Sequence, residues 1–215
     1  MNSLLTMMKE KEISARAYNL TIGAMLFYGF FINMIMCMYF TDVFMGWNPI
    51  ALIVGYLISC FVGILMAKTH NPIMSFTGYN LVVLPIGVVL SISLDSVYSG
   101  VILNAFIVTT VLTVFLIVTA TIYPEFFKKL GGVLLVSLFI VLIVELIMMF
   151  SGMYVPALID WLVCVLFCGY IGYDWAVAQS LPHTYDNAID SALNLYLDII
   201  NLFVRLIEIA QKNRD

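Results

Sequence analysis

Residues 101–122 read VILNAFIVTTVLTVFLIVTATI, an unbroken stretch without Asp, Glu, Lys, Arg or His. As a helix it rises about 33 Å at about 1.5 Å per residue, enough to cross a hydrocarbon core of about 30 Å. Comparable runs occur at Leu20–Phe40, Pro49–Ala67, Phe76–Leu94, Leu130–Phe150 and Tyr154–Tyr173. A last segment, Ser191–Gln211, is interrupted by Asp198, Arg205 and Glu208 but stays apolar overall. The chain of 215 residues is 63% apolar and 10% charged, where a soluble domain carries about 25% charged residues. Its mean hydropathy is +1.07. The expected fold is therefore an all-α integral membrane protein, a seven-transmembrane-helix bundle. Residues 1–16 read as a cytoplasmic tail, 17–211 as the membrane domain and 212–215 as a C-terminal tail.

A net charge of −4 from nine basic and thirteen acidic residues leaves no electrostatic footprint for nucleic acid. Cys37, Cys60, Cys164 and Cys168 sit inside apolar runs and read as packing residues rather than a disulfide framework. His70 and His183 fall in loops without a second metal ligand at usable spacing and read as solvated, and no phosphate-cradling loop or nucleophile elbow occurs, so no cofactor is expected. Trp47, Tyr123, Tyr154 and Trp161 lie near span ends and read as interfacial anchors. Leu20–Phe40 is longer than a signal-peptide core and lacks a small-residue cleavage pattern, so it is expected to remain as the first span. Pro85, inside the third run, is expected to kink its helix and free a carbonyl.

Basic residues alternate along the chain. Lys9, Lys11 and Arg16 precede the first span, Lys68 and His70 follow the second, and Lys128 and Lys129 follow the fourth, while Asp42–Asn48, Asp95–Gly100 and Ser151–Met153 hold no Lys or Arg. The positive-inside rule then predicts a multi-pass protein of the cell membrane with a cytoplasmic N-terminus. Seven crossings would put Lys212 and Arg214 outside and a re-entrant last segment would keep them inside; the length of Ser191–Gln211 favours a crossing.

Charge at mid-membrane costs at least about 2.5–3.5 kcal/mol, so ionisable residues inside spans are paired or functional. Asp160 lies about two turns from the outer end of its helix and is expected to reach water, without a role. In the last segment Asn194, Asp198, Asn201, Arg205 and Glu208 follow at spacings of 4, 3, 4 and 3, a polar ladder on one helix face. Such a ladder is either interhelical glue or the lining of an ion pathway, and its acids and amides offer the oxygen ligands a hard cation prefers. Asp174, preceded one turn earlier by Tyr170, ends the sixth span near the cytoplasm, from which the seventh departs toward Asp198. The two aspartates are expected to meet, and paired carboxyls share a proton and titrate together. Lys68 lies at the level needed to pair with them when charged, which suggests a gate held shut by Asp174, Asp198 and Lys68 and changed by protonation. Glu145 and Arg205 reach similar depth in the outer third and are expected to form a structural ion pair.

Gly172-Tyr173-Asp174 and the run Leu195-Tyr196-Leu197-Asp198-Ile199-Ile200-Asn201-Leu202-Phe203 resemble the Bax inhibitor motif family of transmembrane proteins. The seven-span profile from Ala17 to Ile209 and the short N-terminal tail are similar to those of its bacterial members. The resemblance implies a central seventh helix surrounded by six others and a pH-sensitive passive calcium leak. It also implies that Asp174 and Asp198 are the pH-sensing dyad and hold calcium transiently. Calcium, protons and the lipid bilayer would then be the partners. Lys68 stands where bacterial members are expected to carry Arg, and a lysine cannot fork to two carboxylate oxygens. Two other classes compete. A non-transporting protein that binds other membrane proteins is compatible with every residue. An intramembrane aspartyl protease would use a similar aspartate pair, but its second aspartate follows Gly-x-Gly, where this chain has Leu195-Tyr196-Leu197, and Pro156-Ala157-Leu158 opens the sixth span at the opposite face.

Overall fold

The computed structural model of the chain describes residues 12–152 and 156–212; Lys9, Lys11, Tyr154 and Arg214, which carry part of the orientation and anchoring expectations, lie outside them. Every regular element among the described residues is an α-helix: α1 (Ala15–Tyr39), α2 (Thr41–Met45), α3 (Pro49–Ala67), α4 (Pro72–Leu94), α5 (Ser99–Ile122), α6 (Pro124–Lys129), α7 (Gly131–Ser151), α8 (Ala157–Ala178) and α9 (Tyr185–Lys212). Six of them, α1, α3, α4, α5, α7 and α8, are long and apolar enough to cross a membrane. The described structure thus supports a multi-pass helical membrane protein with six such helices, and α9 is not among the six.

Capping residues, rather than the first apolar residue, set where helices begin. Ser14 accepts the Ala17 N–H at 3.2 Å and starts α1 five residues before the apolar run at Leu20. Asn48 accepts from Ile50 and Ala51, and Asn71 from Ile73, each ahead of a proline at the first helical turn. Thr184 accepts from Asn187 through its hydroxyl and from Ala188 through its carbonyl, so α9 starts at Tyr185 rather than Ser191. Its other end reaches Lys212, which is helical rather than part of a tail.

The chain forms two compact units, one of Met1–Ser96 with Leu181–Leu193 and one of Val97–Ser180 with Asn194–Asp215, so α9 contributes to both. In the first unit α4 packs against α1, α2 and α3. The α3–α4 crossing depends on Gly63 and Gly78: a Cβ on Gly63 would lie 2.7 Å from the Gly78 carbonyl oxygen, and one on Gly78 would strike the Gly63 carbonyl. Tyr79, fully buried on α4, donates to the Met25 carbonyl of α1 at 2.7 Å. In the second unit α8 packs against α5, α6 and α7. There Gly172 lies against the Phe127 ring, Gly131 against the Tyr173 ring and Gly169 against Leu134.

α4 runs helical through Pro85, which has no N–H to offer the Leu81 carbonyl one turn back. Ser59 of α3 supplies the missing donor, its hydroxyl lying 2.6 Å from the Leu81 oxygen. A carbonyl stranded in an apolar setting costs about 1–3 kcal/mol. Ser59→Ala is expected to destabilise the protein by about 1 kcal/mol or more in thermal unfolding in detergent. In a Pro85→Ala background, where the helix again provides the N–H, the same substitution should cost clearly less.

Candidate functional site

In α8 the sequence Gly169-Tyr170-Ile171-Gly172-Tyr173-Asp174 places glycines where neighbouring side chains of α6 and α7 press close. Asp174 follows one turn before the helix ends at Ala178. Its carboxyl lies within hydrogen-bonding reach of the Asp198 carboxyl of α9, and the Tyr170 hydroxyl is close enough to feel both charges. Asp198 is 7% exposed, and its Oδ2 has no hydrogen-bond partner among the described residues. Trp175, the residue after Asp174, turns to α5 and donates its indole N–H to the Thr121 hydroxyl at 2.8 Å. Two carboxyls in contact within an apolar site can hold a proton between them or grip a cation; bare, they repel.

A second polar group lies farther along α9. Arg205 forks across three acids: Nη2 is 2.5 Å from Glu145 of α7, and Nη1 is 3.1 Å from Asp160 of α8 and 2.9 Å from Glu208. Lys212 reaches the other Asp160 oxygen at 2.6 Å. The expectation that Asp160 reaches water is therefore corrected. Its side chain is fully buried, because the first turn of α8 faces α9, and both its oxygens are held by cations. Glu145 and Arg205 do meet, as members of this five-charge cluster rather than as an isolated pair. Position along a helix gives depth but not azimuth, and the 205, 208 and 212 spacing is the signal in the sequence that points to the cluster.

The ladder divides between two environments. Asp198 is buried and Arg205 partly so, whereas Asn194 and Asn201 are exposed, and Asn201 turns back to donate to the Leu197 carbonyl at 2.7 Å. Spacings of 4, 3, 4 and 3 spread the five residues over about 80° of the helix circumference, so its two edges need not share surroundings. Lys68 is the exposed C-cap of α3 and belongs to the first unit, while Asp174 and Asp198 belong to the second.

The first unit holds polar contacts that the spacing of residues does not single out. Asp186, in the first turn of α9, is buried and accepts from the Ser75 hydroxyl at 2.6 Å, with His70 Nδ1 at 4.0 Å. Tyr18 shares a hydrogen bond with Ser191 at 3.0 Å. His183 is not a free loop histidine: its ring stacks on Tyr18 at 4.5 Å and its carbonyl accepts the Ile13 N–H. An acid in the first turn of a helix, two residues after a capping Thr184, is the legible clue at Asp186.

A family model described as "Inhibitor of apoptosis-promoting Bax1" matches residues 10–215. The chain belongs to this Bax inhibitor family. Among its curated relatives, "Bax inhibitor 1" of Schizosaccharomyces pombe is 31% identical over 175 residues, 75% of this chain and 62% of that protein. "Protein LIFEGUARD 4" of Arabidopsis thaliana is 36% identical over 120 residues, covering 51% of this chain and 46% of its own length. "Golgi anti-apoptotic protein" of Vaccinia virus (strain Lister) is 32% identical over 114 residues, covering 52% and 47%. The chain thus spans less than two thirds of these relatives. For this Bax inhibitor family member, the charge cluster makes an ordered stability prediction. Arg205→Met leaves Glu145, Asp160 and Glu208 with Lys212 as the remaining cation, and should cost about 3–5 kcal/mol. Glu145→Gln leaves Arg205 two other carboxylates and should cost about 1 kcal/mol. Thermal unfolding in detergent reads both, and equal losses would contradict the cluster's hierarchy.

Proposed function

We propose that this protein is a passive, proton-regulated calcium leak of the cell membrane, in which Asp174 and Asp198 sense pH. The observation that carries the reading is the buried Asp198 carboxyl set against Asp174, with an oxygen left unpartnered among the described residues. A structural carboxyl elsewhere in the same unit looks different, since Asp160 has a cation on each oxygen. The dyad takes up a proton or a passing cation without breaking an existing ion pair. Calcium prefers about six to eight oxygen ligands, so two carboxylates and water handle it as transient cargo rather than as a resident ion.

In this proposal α9 is the seventh crossing. Its 28 residues extend about 42 Å, ample for a bilayer. The N-terminus lies in the cytoplasm, and Asp198 is approached from that side. Asn194 and Asn201 supply neutral oxygens along the exposed edge of the same helix. The role is non-enzymatic.

A second reading, a membrane regulator that binds other membrane proteins without transporting ions, draws on the relatives' names "Bax inhibitor 1" and "Golgi anti-apoptotic protein". Calcium flux into dye-loaded liposomes containing the purified chain separates the two. Wild-type flux should differ between about pH 6 and about pH 8, and Asp174→Asn or Asp198→Asn should bring the ratio close to one, because each removes half of the shared titration. Folded protein without flux at either pH would leave the regulator reading in possession.

A further inference from the structure

Asp174 meets Asp198 only if α8 is turned to one azimuth, and the residues on either side of Asp174 decide that azimuth. Residues on a helix follow at about 100°, so Gly172 and Ala176 lie nearly opposite Asp174 while Tyr173 and Trp175 flank it. The structure uses each of these positions. Gly172 takes the Phe127 ring of α6, and Ala176 is buried in one cluster with Phe127 and with Ala120 of α5. The Tyr173 ring lies against Gly131 of α7. Trp175 packs on the same cluster and donates its indole N–H to the Thr121 hydroxyl of α5 at 2.8 Å.

These contacts differ in what they hold. The apolar surfaces behind Asp174 keep α8 against α5 and α6, but apolar attraction has no direction and tolerates a roll of the helix. A hydrogen bond weakens steeply as its angle departs from straight, so the Trp175–Thr121 bond resists the roll. Its acceptor is itself fixed: Thr121 gives its own hydrogen to the Ile117 carbonyl at 2.8 Å, which leaves its oxygen an acceptor of set direction. Around the dyad, Tyr170 of α8 is close enough to feel both aspartates and Tyr173 close enough to feel Tyr170. From the elements packed on this turn, α5 presents Thr121, α6 Phe127 and α7 Gly131, none of which titrates, and Glu125 and Lys128 of α6 pair with each other at 3.3 Å.

We propose that Trp175 is a positioning residue for the dyad: its bond to Thr121 fixes the roll of α8 so that Asp174 stays in contact with Asp198. This rests on the reading of the pair as the pH sensor of the leak and deepens it by naming what holds the sensor together. When the bond is lost, α8 gains freedom to roll and the two carboxyls draw apart. Like charges farther apart repel less, so the pair gives up its shared proton at lower pH. Trp175 acts only through Asp174.

The test compares full-length wild type with Trp175→Phe, which keeps a ring and removes the N–H, with Thr121→Val, which removes the acceptor, with the double variant, and with Thr121→Ser, which keeps the acceptor. Two titrations are read on each protein, with its unfolding temperature alongside. One is the pH midpoint of calcium flux into dye-loaded liposomes; the other, in detergent, is the infrared carboxyl band that Asp174→Asn and Asp198→Asn each alter. Trp175→Phe and Thr121→Val should each move both midpoints to lower pH by about 0.4–1 pH unit, the proton-affinity equivalent of one hydrogen bond. The double variant should move no farther than either single one, since both break the same bond, and Thr121→Ser should titrate as wild type. Unmoved midpoints in the two single variants, even with lower unfolding temperatures, would make the bond structural only and overturn the proposal, and additive shifts in the double variant would overturn it too. Wild type without flux would end the leak reading, while the infrared titration still decides whether Trp175 positions the pair. Should Trp175→Phe not fold, Thr121→Val against Thr121→Ser carries the same comparison.

Discussion

Hydrocarbon solvates neither a charge nor a free backbone carbonyl, so every polar group at membrane depth must find its partner inside the protein. That constraint orders the whole chain. α7, an almost uniformly apolar helix, buries Leu134 and leaves Val133, Leu135, Val136, Phe139, Ile140 and Ile143 exposed to whatever surrounds it. α9, with acids, amides and two basic residues along its length, buries most of its apolar positions, among them Leu195, Tyr196, Ile199, Leu202 and Ile207. In water the polar helix would be the outer one. In a bilayer the order reverses, and the least apolar long helix is the one that most needs protein around it.

The same constraint explains small details that composition alone does not reveal. Pro85 withdraws an N–H from α4, and Ser59 on a neighbouring helix replaces it at the Leu81 carbonyl. Tyr79 brings its hydroxyl to the Met25 carbonyl, and Tyr28 brings its own to Asn80 at 2.7 Å. The Ser59 bond requires α3 and α4 close enough for a short side chain to span, and at the same crossing Gly63 and Gly78 face each other's backbone. Packing by small residues and polar satisfaction are therefore one arrangement seen from two sides.

Much of this is legible in the residues. Uninterrupted apolar length locates the six helices able to cross a membrane, and helical spacing with chain direction brings Asp174 toward Asp198 and Glu145 toward Arg205. The rest depends on information that periodicity lacks. Helix starts at Ala15 and Tyr185 are set by Ser14 and Thr184, polar residues outside the apolar runs. Distance from a helix end points Asp160 to water, yet its azimuth toward α9 decides its fate, and Lys212 reads as a tail residue although it completes the ion cluster. Asn194 and Asn201 share a face with Asp198 by helical spacing, but a face some 80° wide has two edges, and the protein covers only one.

The contrast between the two polar groups on α9 bears most directly on function. Arg205, Lys212, Glu145, Asp160 and Glu208 form a nearly neutralised cluster whose members hold each other, and any change of charge there breaks an ion pair. Asp174 and Asp198 face each other as like groups, with Tyr170 alongside and an Asp198 oxygen unpartnered among the described residues. The first arrangement has one favoured charge state and serves as a fixed point for α7, α8 and α9. The second holds two like groups that repel when both are charged, a repulsion that a proton or a cation relieves. In the proposed leak the cluster would be the fixed point of α9 and the dyad the place where a proton acts, because only the dyad can gain or lose a charge without giving up an ion pair.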